Sequence, residues 1–228
     1  MRDVFKKRLA RDNFFGLALT LLILFLLASF VFFGAIINRV LPFEKMLLLD
    51  YQFNIFISSA RTAGLVNFFL MITALALPQF VAGISIAFTA LLCLKKKRVF
   101  LMPFLVTFLG GVLTNFLSKL GFYRGRPLGA VYLENTFSFP SGHSTAAVVL
   151  YGFMVYYFWK KTSSKIKKNT ILVFGLIIIL GIGFSRIYLG MHYLSDVVGG
   201  YLLGLLWLCL GIGLAEWRLG KRKKLIIG

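Results

Sequence analysis

The 228-residue sequence contains only two histidines, and each stands in a short run of polar residues. His143 closes the run Pro140-Ser141-Gly142-His143. His192 belongs to the run Ser185 to Asp196, with Arg186 six residues before it and Asp196 four residues after. A third run, Lys119 to Pro127, contributes Lys119, Arg124 and Arg126. These residue types suit the chemistry of a phosphate ester. Displacement at phosphorus spreads negative charge over the equatorial oxygens, so catalysis there is mostly positioning and electrostatic stabilisation. Lys119, Arg126 and Arg186 supply fixed positive charge, and arginine presents a planar fork matched to phosphate oxygens. Ser141 and Gly142 precede an apolar run that reads as a helix, whose first amides and dipole favour an anion. If the outer end of the last helix begins near His192, Asp196 shares its face. A carboxylate on one ring nitrogen then fixes the tautomer and leaves the other nitrogen free to attack phosphorus. His143 is placed to protonate the leaving oxygen and later to activate water.

Taken singly, each run has a plainer reading. Pro-Ser-Gly-His is also a turn and helix cap. A His/Asp pair four apart is also a structural hydrogen bond or a proton relay. Arg39 and Arg61, near span ends, read as snorkelling cations. Arg124 reads as a solvated loop charge or a lipid-headgroup contact. Glu134 and Asn135 lie in the loop before Pro140, where they are candidates for shaping substrate access; their spacing assigns them nothing more. The catalytic reading rests on all three runs in order, holding both histidines and one of only seven acids. No further acid approaches His192 in sequence, so a two-metal phosphatase site has no ligand set. The reading therefore calls for no metal and no cofactor.

The elements that must carry these residues are membrane helices. The chain is 59% hydrophobic and only 14% charged, with 25 Phe and a mean hydropathy of +0.87. A soluble domain carries about a quarter charged residues, and this apolar excess exceeds what one small core can bury. Six apolar runs stand out, over Phe14–Asn38, Val66–Leu94, Val99–Leu117, Ser144–Trp159, Ile171–Ile187 and Val197–Ala215. A helix needs ~20 apolar residues to cross the hydrocarbon core. Pro78 is expected to kink the second run. The first run is too long for a cleavable leader and reads as a signal anchor.

The net charge of +19 invites a nucleic-acid partner. The cations are instead grouped between apolar runs, as topology signals are. Arg2, Lys6, Lys7, Arg8 and Arg11 precede the first run; Lys95 to Arg98 follow the second. Lys160, Lys161, Lys165, Lys167 and Lys168 follow the fourth, and Arg218 and Lys221 to Lys224 follow the sixth. These groups fall on every second boundary, which predicts one all-α domain over residues 1–228. It has six transmembrane helices and both termini cytoplasmic. The segment from Pro42 to Gly64 is too polar to span and is expected to lie as a short helix on the outer surface. All three motifs then fall on the outer face. Cys93 and Cys209 sit in apolar runs with no metal or disulfide spacing.

The pattern Lys119-x6-Arg126-Pro127, then Pro140-Ser141-Gly142-His143, then Ser185-Arg186-x5-His192-x3-Asp196 resembles the signature of the type 2 phosphatidic acid phosphatase superfamily. That superfamily also includes vanadium haloperoxidases and glucose-6-phosphatase. The three motifs match without a substitution. The resemblance implies that Lys119, Arg126, Ser141, Gly142 and Arg186 bind phosphate. It implies that His192 forms a phosphohistidine oriented by Asp196, that His143 is acid and then base, and that no metal takes part. Bacterial members with this plan act on membrane lipids such as undecaprenyl pyrophosphate, phosphatidylglycerol phosphate and phosphatidic acid. The expectation is thus a lipid phosphatase of a bacterial inner or plasma membrane, with the site facing outward. Its partners are the bilayer and a lipid phosphate substrate, with no nucleic acid and no obligate protein partner. Two alternatives stay open: a phosphotransferase on the same fold, and a lipid transporter or flippase. The second predicts charges at mid-span and broken helices. Apart from the expected kink at Pro78, the runs lack them.

Overall fold

The computed structural model describes residues 43–132 and 134–227, with the side chains of 46–132 and 134–220. The first apolar run, its leading cations, Arg39 and the side chains of Lys221 to Lys224 lie outside the described residues. Every regular element described is a helix. In chain order these are α1 (Phe43–Ser59), α2 (Ala63–Ala74), α3 (Pro78–Leu94) and α4 (Arg98–Phe122). There follow α5 (Gly142–Ala147), a π-helical turn (Val148–Gly152), α6 (Phe153–Lys161), α7 (Lys165–Tyr188) and α8 (Leu194–Ile227). Among the described residues, four stretches can cross a membrane by length and composition: Ala63–Leu94, Arg98–Phe122, Lys165–Tyr188 and Leu194–Gly220.

The second apolar run is broken where Pro78 sits. Proline has no N–H and is tolerated in the first helical turn, so α2 stops at Ala74 and α3 restarts with Pro78 at its head. Apolar surroundings leave any freed carbonyl to be satisfied by protein. The Tyr151 hydroxyl donates to the Leu75 carbonyl at 2.6 Å, from inside the π-helical turn.

The fourth apolar run differs from a simple lipid-facing span. α5, the π turn and α6 form one continuous helical rod over 142–161, and residues 144–153 are all buried. The rod is the centre of the bundle. Its tightest neighbour is α8, whose glycines remove the side chains that would hold the backbones apart. A β-carbon on Gly200 would stand 2.5 Å from the Ser141 carbonyl oxygen, and one on Gly204 would stand 2.7 Å from Val148 Cβ. Gly200→Val must push α8 away from the start of the rod. Overpacking of this kind costs ~1–3 kcal/mol, so a lowered thermal midpoint is expected for the purified variant. An unchanged midpoint would show that the two backbones have room to part.

The long helices alternate in direction. The C-terminal end of α4, the start of α5, the C-terminal end of α7 and the start of α8 gather at one end. The Ser141 N–H donates to the Asp196 carbonyl at 2.9 Å there. At the other end, Lys160 pairs with Glu216 at 2.7 Å and Lys161 lies 5.3 Å over the Phe100 ring. An aromatic cluster fills the core between them, with Phe88 edge-on to Phe104 at 4.9 Å and Phe100 edge-on to Tyr157 at 5.2 Å. The basic groups at 95–98 and 160–161 therefore share the end opposite the motifs. α1 lies at the motif end, where Ile57 packs with Ile187, Tyr188 and Val197.

Candidate active site

Three junctions build the site. α4 ends at Phe122 because Tyr123 turns left-handed (φ 47°), a common helix stop. The loop that follows carries Arg124 and Arg126. Ser141 caps α5: its Oγ accepts from the Ser144 N–H at 3.4 Å and from the Ser144 hydroxyl at 3.0 Å. The acceptor side of that buried hydroxyl thus serves the helix itself, and its proton remains to be donated. The α7–α8 turn passes through Gly190 at φ 68°, a conformation that favours glycine. The Met191 and His192 N–H groups both donate to the Arg186 carbonyl, at 2.9 and 3.2 Å.

His192 lies just before α8, so it and Asp196 do not share helical turns as the spacing suggested. They still meet: Asp196 Oδ2 is 3.5 Å from His192 Nδ1. Ser138 closes the gap. Its hydroxyl is 3.2 Å from His192 Nδ1 and donates to Asp196 Oδ2, which also accepts from the Tyr193 N–H at 2.8 Å. With Nδ1 held on this side, Nε2 faces Arg126, whose Nη1 is 3.3 Å away. Burial pushes the His192 pKa down to about 4; Asp196 opposes the shift, while Arg186 and Arg126 add to it. The ordinary value is ~6.5, so the ring is neutral at neutral pH. Because the folded value is the lower one, the unfolded chain binds more protons between the two. Stability from this group is full above ~6.5 and is lost as pH falls through about 4. NMR of labelled histidine should find His192 titrating near 4; a midpoint near 6.5 would contradict its burial.

Arg126 and Arg186 flank this nitrogen. Arg126 donates to the carbonyls of Thr136 (2.8 Å) and Met191 (2.7 Å) and pairs with Glu134 at 2.7 Å. Arg186 is fully buried; it bonds Thr73 Oγ1 at 3.1 Å, the Tyr132 hydroxyl and Glu134. Glu134 thus bridges both guanidinium groups. Its own burial would raise its pKa, and the two arginines outweigh that and hold it below the usual carboxylate range. Lys119 donates to the Phe137 carbonyl and lines, with Phe116, Leu120, Arg126, Glu134 and Phe137, a cleft of about 440 Å³. Burial, and after it the charges of Arg186, His192, Arg126 and Lys119, hold the His143 pKa well below its usual value. Its Nε2 is buried with no hydrogen-bond partner among the described residues. Gly142 packs beside Asn115, whose amide donates to the Pro140 carbonyl at 3.3 Å and to Thr145 Oγ1 at 3.0 Å. The eight residues singled out from the sequence thus lie together at one end of the bundle.

Two readings of single cations are corrected. Arg124 is buried rather than solvated, because two carboxylates hold it: Asp196 Oδ1 at 2.7 Å and Asp50 Oδ2 at 2.6 Å. Arg61 does not snorkel; its Nε donates to the Tyr188 carbonyl at 2.7 Å and its Nη1 to the Gly129 carbonyl at 2.6 Å, tying down the end of α7. Sequence reasoning missed Ser138, which nothing in its spacing marks, and passed over Asp50 within the surface helix expected between Pro42 and Gly64. The scarcity of acids in this chain was the available signal for Asp50.

Comparison with known proteins adds an independent line. Phosphatidylglycerophosphatase B of Bacillus subtilis (strain 168) is 45% identical over 85 residues, 36% of this chain and 41% of that protein. An undecaprenyl-diphosphatase of Sulfolobus acidocaldarius is 29% identical over 125 residues, 50% of this chain and 54% of that protein. These alignments therefore span about half the relatives' length or less. The crystal structure of the first transmembrane PAP2-type phosphatidylglycerolphosphate phosphatase from Bacillus subtilis superposes with a TM-score of 0.72 at 28% identity. It covers 87% of this chain and 96% of that one. The crystal structure of Aquifex aeolicus LpxE shares the fold (TM-score 0.54, 23% identity, covering 73% and 94%). The family model of the PAP2 superfamily matches residues 69–219, well over half of the 228 residues, and its span contains every motif described above. The chain belongs to the PAP2 superfamily.

Proposed function

We propose that this protein is a membrane lipid phosphatase that removes the terminal phosphate of a lipid phosphate or pyrophosphate through a phosphohistidine on His192. One observation carries the reading: His192 Nε2 faces Arg126 at 3.3 Å while Asp196 and Ser138 occupy the Nδ1 side. A neutral imidazole held in this way presents a lone pair to a group bound by cations. In the first step Nε2 attacks phosphorus and the bond to the leaving oxygen breaks. Arg126, Arg186 and Lys119 hold the equatorial oxygens, where charge accumulates. His143, whose pKa burial and the surrounding cations hold well below the usual value, takes up a second ring proton when the bound phosphate offsets those cations, and gives that proton to the leaving oxygen. In the second step His143 takes a proton from water, the water oxygen attacks phosphorus, and the N–P bond breaks to release phosphate. The Ser141 hydroxyl and the Gly142 amide, at the start of the rod, add neutral donors to the cationic cradle, while the Ser141 N–H stays bound to the Asp196 carbonyl. The cations supply the charge that a metal would, so the reaction needs none.

A lipid substrate fits the surroundings. The cleft that leads to Lys119 and Arg126 has Phe116 and Leu120 on its α4 wall, and both are exposed on the outside of the bundle. A headgroup can enter there while its chains stay in lipid. The relatives acting on phosphatidylglycerophosphate and undecaprenyl diphosphate support this class. We place the motif end on the outer face of a bacterial cell membrane. The first apolar run completes six spans, and α1 lies along the outer surface; the shared end of the basic groups supports this orientation.

The decisive assay is phosphate release by the purified chain from undecaprenyl pyrophosphate, phosphatidylglycerol phosphate and phosphatidic acid, with and without EDTA. Release that survives EDTA is expected; no release from any of them would sink the proposal. Glu134 supplies a second measurement. Its carboxylate holds the same two guanidinium groups that an oxyanion would need. Glu134→Gln is therefore expected to tighten inhibition by vanadate, a phosphate mimic, by about tenfold, the worth of one charge-assisted contact. Weaker inhibition would show that the carboxylate assists anion binding instead.

A further inference from the structure

We infer that Arg124, at a position the first motif leaves unspecified, and Asp50, outside all three motifs, are positioning residues that set the Asp196–His192 pair. The inference rests on the phosphohistidine reading above. A carboxylate can turn about its own axis, and an orienting acid is useful only if that turn is blocked. Asp196 Oδ2 faces His192 and is bound by Ser138 and the Tyr193 N–H. Asp196 Oδ1 would otherwise be loose; Arg124 Nη1 holds it at 2.7 Å. The other arm of the same guanidinium, Nη2, is held by Asp50 Oδ2 at 2.6 Å. Ser195 locks the junction: its hydroxyl accepts from Arg124 Nη1 at 2.6 Å and donates to Asp50, and its N–H donates to Asp50 Oδ1 at 3.0 Å. Tyr193 covers the guanidinium, with its ring centroid 4.5 Å from Cζ. The side chains of Arg124, Asp50 and Asp196 are 8%, 4% and 0% exposed.

Charge gives Asp50 a purpose that packing alone does not. Arg124 alone would neutralise Asp196 and weaken its hold on a histidine that becomes cationic during the reaction. Asp50 shares the guanidinium charge, so the three groups keep a net charge of −1 facing His192. Asp50 comes from α1, whose opposite side is apolar and exposed (Leu48 56%, Leu49 66%, Phe56 66%). The catalytic pair is thereby tied to the one described helix that reaches the site from outside the matched family region of residues 69–219.

The test uses the full chain in lipid nanodiscs. Asp50→Asn and Arg124→Gln are expected to lower kcat about 10- to 100-fold, the usual cost of losing an outer orienting partner. KM and the vanadate inhibition constant should stay within about twofold, because Lys119, Arg126 and Arg186 do not depend on Asp50. The Nδ1 resonance of labelled His192 should shift in both variants, whether or not lipid is turned over. Wild-type kcat, or a parallel loss of kcat and vanadate affinity, or an unmoved Nδ1 resonance, overturns the inference. Where Gln or Asn prevents folding, Arg124→Lys keeps the charge but cannot fork to two carboxylates; kcat is expected to fall about tenfold, and a wild-type value overturns the inference. A wild-type chain that releases no phosphate would instead sink the functional reading, and the Nδ1 resonance would still decide the positioning.

Discussion

His192→Ala is expected to lower phosphate release from a lipid phosphate by roughly 10⁴-fold or more, the scale seen when a nucleophile is removed from a two-step enzyme. No other group can take its place. Among the described residues His143 is the only other imidazole, and the proposal assigns it to proton transfer at the leaving oxygen. The cationic cradle should survive the change, because Arg126 and Arg186 are held by Met191, Thr136, Thr73 and Glu134 independently of the His192 ring. KM and vanadate binding are therefore expected to change little while kcat collapses. The measurement is single-turnover phosphate release with labelled lipid. Wild type should carry label on the protein after acid-free quenching in alkali, where phosphohistidine persists, and the variant should carry none. Full release by His192→Ala would end the covalent reading.

The second large effect separates the two halves of the reaction. His143→Ala removes the proton donor of the first step and the proton acceptor of the second. General acid–base catalysis is worth about 10²- to 10⁴-fold, so turnover of a lipid phosphate should fall by that factor. p-Nitrophenyl phosphate behaves differently, because nitrophenolate leaves without a proton. On that substrate the variant is expected to release nitrophenolate in a burst of about one equivalent per active site and then stall at the phosphoenzyme. Burst amplitude measured by stopped flow decides the matter. An equal loss on both substrates with no burst would place His143 outside proton transfer. Its buried Nε2, which no described protein group satisfies, is the structural reason to expect a role in the reaction.

Much of the candidate site was legible in the sequence because the residues that the fold gathers there lie in short motifs at helix ends. Lys119, Arg126, Ser141, Gly142, His143, Arg186, His192 and Asp196 needed only chemistry and order. Five apolar runs within the described region also became helical stretches, extended by a few residues where polar caps such as Thr62 and Ser164 begin them. What stayed hidden is contact between distant residues. Ser138 matters because a loop folds it between His192 and Asp196, and no local period encodes that. Arg124 looked like a solvated charge because its partner Asp50 lies 74 residues away. Glu134 was placed near the entrance, but its bridge across two arginines depends on the loop closing over α7. The capping role of Ser141 was foreseeable as the plainer reading of its motif, and it coexists with the chemical one.

The central rod has a consequence for how a membrane protein's crossings are counted. Hydropathy measures affinity for lipid, and only surfaces that meet lipid are held to it. Over 144–153 the rod meets other helices, so Ser144 and Thr145 can sit there without penalty. A count by lipid affinity reaches four crossings among the described residues and passes over this one. Four crossings would put the lysines at 95–97 and those at 160–168 on opposite sides of the bilayer. Counting the rod as a crossing, as the proposed topology does, restores parity and puts both groups in one compartment, in step with Lys161 lying over Phe100. In a fold whose centre is a helix wrapped by its neighbours, the spacing of the charge clusters supports a crossing that a short apolar run marks only faintly.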